Sequence, residues 1–363
     1  MTILKNKITT RKVLLSFLAV FVFLLMSAIL SNNSKILHSA SSTFSVLGAL
    51  NSLNQNSLDS NSNKTAVTPF VLNPAGDRLI LNRPMGLNFT MTGELYVADL
   101  LNKRLRFFKK GKQFPEAGKI ESSFLLPWSL DLDLKSNIYV SDTGKNQIIS
   151  ITNAGEVKYI GTKGKRPGTF NIPTGICIDE PRQRLLVADF ANHVVQILSL
   201  DGTFLGHIGG TTSSGLFGKP GRLEGEFRGP SDVDVDSFGR IYVADKENSR
   251  IQIFHSGGNF ITTFGQAGAA KGRFNKPSGL CVDHNGDIYI CDTFNNRIQI
   301  IKSPFATAMK PQYKVIKVLT TDQYTTGAMK VPNKCAIAND GTLYVADTGN
   351  NRIIAFPKSL LKG

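Results

Sequence analysis

With 363 residues, 41% apolar and 19% charged, the chain has enough apolar surface to bury a large core and is not an extended disordered polymer. A formal net charge of +15 favours anionic partners (nucleic acid, anionic lipid or acidic glycan) without choosing among them. The four cysteines, Cys177, Cys281, Cys291 and Cys335, show no C-x-x-C spacing, so buried thiols are the expectation.

Residues 1–12 carry Lys5, Lys7, Arg11 and Lys12, and no acid occurs before position 31. Residues 13–30 follow without a single charge. As a helix they would reach about 27 Å, enough to cross a hydrocarbon core. An uncleaved signal anchor is favoured over a cleaved signal peptide, for which the small residues Ser39-Ala40-Ser41 would offer a late cleavage site. The positive-inside bias puts residues 1–12 in the cytoplasm and everything after residue 30 outside it. The folded part is then membrane-anchored on the extracytoplasmic side, or secreted if the N-terminus is removed. Residues 31–68 hold ten serines and seven asparagines and no periodicity, the composition of a disordered tether. Asn32, Asn63 and Asn88 each begin a glycosylation acceptor pattern.

From residue 69 to 358 one unit recurs six times. The segments 99–108, 142–151, 189–198, 245–254, 292–301 and 347–356 are variants of one another, each with a proline about fifteen residues upstream. Their leading aspartates are spaced by 43, 47, 56, 47 and 55 residues, a period that marks supersecondary units stacking their apolar faces. Repeat five reads most plainly. A short apolar strand, Leu280 to Asp283, leads into the turn His284-Asn285-Gly286-Asp287. A second strand, Ile288 to Cys291, precedes a polar loop, and Arg297 to Ile300 alternates as a third. After repeat four, Asn259 to Phe264 supplies a fourth, outer strand. Four strands per unit and six units predict an all-β, six-bladed β-propeller. Repeat six ends at Phe356 with no sequence left for its outer strand, so the stretch Phe70 to Leu81 is expected to complete that blade and close the ring.

The proline-(x)-glycine opening, the I/L-Y-V-A-D strand, the D-x-x-N-x-R-I sequel and the G-x-F-x-x-P linkers at Gly168–Pro173, Gly225–Pro230 and Gly272–Pro277 resemble NHL repeats. Repeats two and three depart at Gln147 and Val194, where the arginine is expected, and repeats two and six lack the glycine.

The recurring Asp99, Asp142, Asp189, Asp245, Asp292 and Asp347 are read as blade-building residues that accept hydrogen bonds from the following loop amides, locked by the Asn and Arg three and five positions on. Recognition must then come from what is not repeated. The long linkers 161–171, 208–229 and 265–276 should emerge on one face and bring Lys163, Lys165, Arg166, Lys219, Arg222, Arg228, Lys271 and Arg273 to one rim. The residues after each repeat proline (Met85, Trp128, Thr174, Ser231, Ser278 and Asn333) should line the channel mouth there. Trp128, the only tryptophan, suits a peptide, sugar or base, or packs between blades. A second basic cluster runs from Lys103 to Lys112. Cys281 and Cys291, on adjacent strands, are the pair that would join in an oxidising compartment.

The expected role is a non-catalytic propeller binding a protein, peptide or glycan on its long-linker face. No catalytic residue, metal ligand or cofactor stands out, and nucleic acid is an unfavoured partner for an exported protein. The segment 243–252 resembles part of the peptidyl-hydroxyglycine amidating lyases. That resemblance implies a metalloenzyme with zinc, or calcium, in the channel, but Ser231 stands where a zinc histidine would be wanted. A resemblance to the NHL propellers of tripartite-motif proteins implies RNA binding as a further alternative.

Overall fold

The computed structural model describes residues 68–72, 81–109, 116–120, 123–210, 216–302, 313–322, 324 and 326–362, all within the compact unit Val67–Gly363. The expected basic segment, apolar stretch and tether fall outside the described residues, apart from Thr68. Among the described residues, no helix is long and apolar enough to cross a membrane.

The described chain forms six four-stranded antiparallel sheets. Their inner strands are Pro84–Phe89, Pro127–Leu132, Pro173–Asp179, Pro230–Val235, Gly279–Val282 and Pro332–Ile337, numbered here as blades 1 to 6. Each inner strand touches the next, and the sixth touches the first, so the sheets close into a six-bladed propeller. Closure is made by Phe70–Leu72, which pairs with Arg352–Phe356 as the outer strand of blade 6. Only the first three residues of the expected closing stretch form this strand; residues 73–80 lie outside the described ones.

The apolar core lies between blades, in six clusters, one per junction. Val233, Val243 and Phe254 of blade 4 pack on Cys177, Leu186 and Ile197 of blade 3. A single blade has no core of its own, which is why the unit must recur.

After each second strand a turn of 3-10 helix or an equivalent turn ends in a left-handed residue four positions past the repeat aspartate: Lys103, Asn146, His193, Ser249, Asn296 or Asn351. Five of these side chains accept a hydrogen bond from the backbone N–H just before the next blade's proline. Asn351 takes Arg83, Asn146 takes Ile172, His193 takes Gly229, Ser249 takes Lys276 and Asn296 takes Val331. All five donor residues have positive φ, including β-branched Ile172 and Val331, a conformation that costs roughly 1–2 kcal/mol and needs such a clasp. Lys103 has no acceptor to offer. At that junction the Leu126 N–H donates to Asp142 instead.

The glycine two positions after the proline also has a structural reason. It is present in blades 1, 3 and 5 and absent from blades 2 and 6, and blade 4 lacks it as well, carrying Asp232. A Cβ on Gly86 would stand 2.6 Å from Ser129 Cα, one on Gly175 would overlap Asp232, and one on Gly279 would lie 2.9 Å from Lys334 Cα. The channel has room for a side chain at this level from every second blade only. The missing glycines are therefore a packing alternation and not weakened repeats.

Candidate functional site

Function in this fold depends on how the linkers are held, so the repeat aspartates come first. All six are fully buried. Each accepts an N–H from the linker that enters its own blade: Asn82 to Asp99, Leu126 to Asp142, Asn171 to Asp189, Arg228 to Asp245, Asn275 to Asp292 and Lys330 to Asp347. The reach is backwards along the chain, by 16 to 18 residues. Among the described residues only Asp142, through Lys145 N–H at 3.2 Å, also takes a backbone N–H of the loop that follows it.

Blade 5 shows the complete brace. Arg297 Nε donates to Asp292 Oδ2 at 2.7 Å, and Asn295 and Gln299 donate to the same carboxylate. The three donors then bind the linker itself. Asn295 reaches Gly268 O, Arg297 reaches Ala270 O and Arg273 O, and Gln299 bonds Arg273 O while accepting from Gly272 N–H. Blade 4 repeats every element with Asp245, Asn248, Arg250, Gln252 and the linker around Gly221 to Glu226. Blade 3 keeps Asn192 and Gln196 but has Val194 in place of the arginine. Without that cation, burial pushes the Asp189 carboxyl up to about 7, against the pull of its hydrogen bonds from Asn171, Asn192 and Gln196.

These braces hold the long linkers in one shape, with Gly164, Gly221 and Gly268 N–H returning to the carbonyls of Phe170, Phe227 and Phe274. The eight rim cations, Lys163, Lys165, Arg166, Lys219, Arg222, Arg228, Lys271 and Arg273, are all exposed. None of their side chains forms an ion pair among the described residues, whereas Lys276 beside them pairs with Glu247 at 2.9 Å. Apolar side chains stand out on the same linkers and loops, Leu223 at 71% exposure and Phe294 at 52%. His193 belongs to this face too. Burial and the charges of Arg228 and Lys165 hold it below its ordinary range, and its Nδ1 accepts from Gly229.

At the axis, Met85, Trp128, Ser231, Ser278 and Asn333 line the mouth cavity together with Gly86, Ser129, Gly175, Asp232 and Lys334. Thr174 does not line it; it is buried, and its hydroxyl donates to Ala188 O. The cavity is about 10 Å³, room for at most one water, so a ligand meets the mouth as a surface and does not enter it. Lys334 of blade 6 passes over Gly279 to reach Asp232 of blade 4 at 2.7 Å.

One level deeper lie carboxylates the sequence reading missed. Asp131 accepts from Ile178 N–H of blade 3, and Asp234 from Val282 N–H of blade 5. Asp232 likewise takes Leu280 N–H. These carboxylates cap the otherwise open inner edge of the neighbouring blade. Burial pushes Asp131 up to about 7, against the Ile178 and Leu132 amides. Burial works against the charge on Lys334, but Asp232 and Asp234 raise it well above the ordinary lysine range. Reading the repeats column by column, four positions past each proline, would have exposed Asp131 and Asp234 among Cys177, Cys281 and Ala336. Asn88 stands in the same column and donates to Asp131 Oδ1 at 2.6 Å, so this acceptor pattern for a glycan is committed to the channel.

The residues present do not fit the zinc centre that the lyase resemblance implies. Ser231 is buried, with its hydroxyl donating to Pro277 O. His207 packs its ring 5.1 Å from that of Phe217, His193 clasps Gly229, and His284 sits on the opposite face in the blade 5 hairpin. Among the described residues no three His, Cys, Asp or Glu side chains are grouped to hold a metal.

The second basic cluster is not one patch. Arg104 pairs with Asp99 at 3.0 Å, Arg106 is buried with its guanidinium 5.9 Å from the Phe108 ring, and Lys109 is exposed. Lys110 and Lys112 lie outside the described residues.

A family model for the NHL repeat matches residues 170–198, 227–254 and 274–301, which are blades 3, 4 and 5, so the chain carries NHL repeats. Peptidyl-glycine alpha-amidating monooxygenase A of Xenopus laevis is 32% identical over 161 residues, covering 40% of this chain and 17% of that protein. NHL repeat-containing protein 3 of Mus musculus is 25% identical over 201 residues, 49% of this chain and 56% of that protein. The chain thus matches less than two thirds of either relative. A catalytically inactive virginiamycin B lyase from Staphylococcus aureus, solved with quinupristin, superposes with a TM-score of 0.54. Its identity is 15%, over 81% of this chain and 89% of that one, a likeness of fold.

Proposed function

We propose that this chain is a non-catalytic binding propeller that takes an acidic polypeptide segment with apolar side chains across its linker face. One observation carries the reading: braced linkers on consecutive blades hold exposed cations, without an ion pair among the described residues, beside Leu223 and Phe294. Braced linkers lose little backbone freedom when a ligand carboxylate arrives, and flanking apolar groups add contact area that a simple polyanion would leave unused. A glycan would meet the cations but not those apolar side chains. We further propose that residues 13–30 tether the propeller on the extracytoplasmic side of a membrane, on the strength of their uncharged length after a basic cluster.

The binding test uses the full chain and a peptide rich in Glu with interspersed Phe and Leu. Arg166→Glu, Lys271→Glu and Arg273→Glu combined are expected to weaken binding by at least about tenfold at 0.1 M salt and to flatten its salt dependence. Unchanged affinity in the triple variant, or tighter binding of single-stranded RNA to the same face, overturns the reading. Reporter fusions before residue 13 and after residue 30 test the tether: both reporters on the cytoplasmic side would remove it.

A further inference from the structure

The chain places three of its four cysteines in one cluster between blades 5 and 6, where the repeat architecture needs only apolar side chains. Cys281 lies on the inner strand of blade 5, Cys291 on the second strand of that blade, and Cys335 on the inner strand of blade 6. All are buried and reduced in this structure. Cys281 Sγ and Cys335 Sγ are 2.9 Å apart, inside ordinary sulfur contact. The Cys335 sulfur also faces Tyr289 O at 3.4 Å. The adjacent-strand pair expected from the sequence, Cys281 with Cys291, is not the one in closest contact. On the same sheet Gly279 stands opposite Cys291, and Cys281 stands opposite Tyr289.

We propose that Cys281 and Cys335 are a modification site, a dithiol that closes to a disulfide and staples blade 5 to blade 6. The oxidant is a small-molecule or protein disulfide. One protein thiolate attacks a sulfur of that disulfide, forming a mixed disulfide and releasing one thiol. The second protein thiol then loses its proton and displaces the remaining half. Two protein thiols are oxidised, one external disulfide is reduced to two thiols, and no other reactant is required.

Chemistry at the site assists the second step, when the blades meet. Burial opposes ionisation of Cys335, but hydrogen bonds from Cys281 and Cys291 and the nearby Lys334 charge outweigh it and hold this thiol below its usual range. Cys281 and Cys291 are pushed up, chiefly by burial. Cys335 is thus the sulfur suited to displace the remaining half from a mixed disulfide on Cys281. Because the closed wheel buries both, exchange proceeds while blade 6 is docking on blade 5. The bridge would span 54 residues of chain.

The test is made on the full chain, refolded in a glutathione buffer poised at about −200 mV, an export-compartment value. Free-thiol counting and non-reducing peptide mapping are expected to show two thiols lost and a Cys281–Cys335 cross-linked peptide. Cys281→Ser and Cys335→Ser should each retain all remaining thiols, and Cys291→Ser should still form the bridge. Reduction should lower the Tm of the wild type by about 5–8 °C and leave that of Cys335→Ser unmoved. Four free thiols in the refolded wild type, or a mapped bridge involving Cys291, overturns the proposal. Mapping the wild type needs no variant to fold.

Discussion

Blades 3 and 5 build the same brace from nearly the same parts, and the missing part separates geometry from charge. Asp189 and Asp292 both take an amide from the incoming linker, an Asn three positions on and a Gln seven positions on. Only Asp292 also has an arginine, at 2.7 Å. Since both linkers adopt the same turn, the cation is not needed to place the loop. Where it is missing, burial raises the Asp189 carboxyl with only neutral donors to oppose it.

Neutralising the two aspartates should break the symmetry most visibly. Asp292→Asn leaves the partly exposed Arg297 without its counter-charge and is expected to cost about 3 kcal/mol in urea denaturation at pH 7.5. Asp189→Asn removes no partner cation and leaves no buried charge to carry, so at pH 7.5 it should not fall below wild type. Equal losses would refute the division of labour.

The pH dependence sharpens the same point. The unfolded chain releases the Asp189 proton near 3.9, whereas the folded protein keeps it until about 7. Between those values the unfolded state is the more deprotonated, so raising the pH favours it. Wild-type stability relative to Asp189→Asn should fall by about 3 kcal/mol from pH 4 to pH 7 and level off above. A flat difference would mean that Asp189 ionises normally.

At the axis the two blades are equivalent, and the expectation is symmetry. Gly175→Ala and Gly279→Ala each drive a Cβ into the next blade's inner strand and should each cost about 2–3 kcal/mol. A tolerated alanine at either position would show that the channel can relax there.

The smallest effect belongs to the clasps. Asn296→Ala should cost about 1 kcal/mol at any pH. His193→Ala should cost as much only where the imidazole is neutral, because protonating Nδ1 already removes the acceptor for Gly229. The His193 clasp is therefore lost as pH falls through its lowered folded value. Thermal melts at pH 5 and pH 8 distinguish the two variants.

Much of this was legible beforehand because repetition averages out noise. The period gave six blades, the proline register gave five of the six residues at the axial cavity, and the eight linker cations are exposed. What escaped were contacts made between repeats. The backward reach of each aspartate joins positions 16 to 18 apart through a loop whose course no local pattern specifies. The alternation of Gly86, Gly175 and Gly279 with larger side chains follows from channel width, a property of the closed ring and not of any unit. Cys281 meets Cys335 for the same reason, from different columns of facing blades.

The ring is fastened by three residue pairs, Phe70 with Ala355, Val71 with Ile354 and Leu72 with Ile353. If the polypeptide ahead of Phe70 is anchored, every tug on the bound partner is transmitted through that short ladder. Mechanical load would then peel the latch before it disturbs any junction, making this ladder the fuse of the molecule.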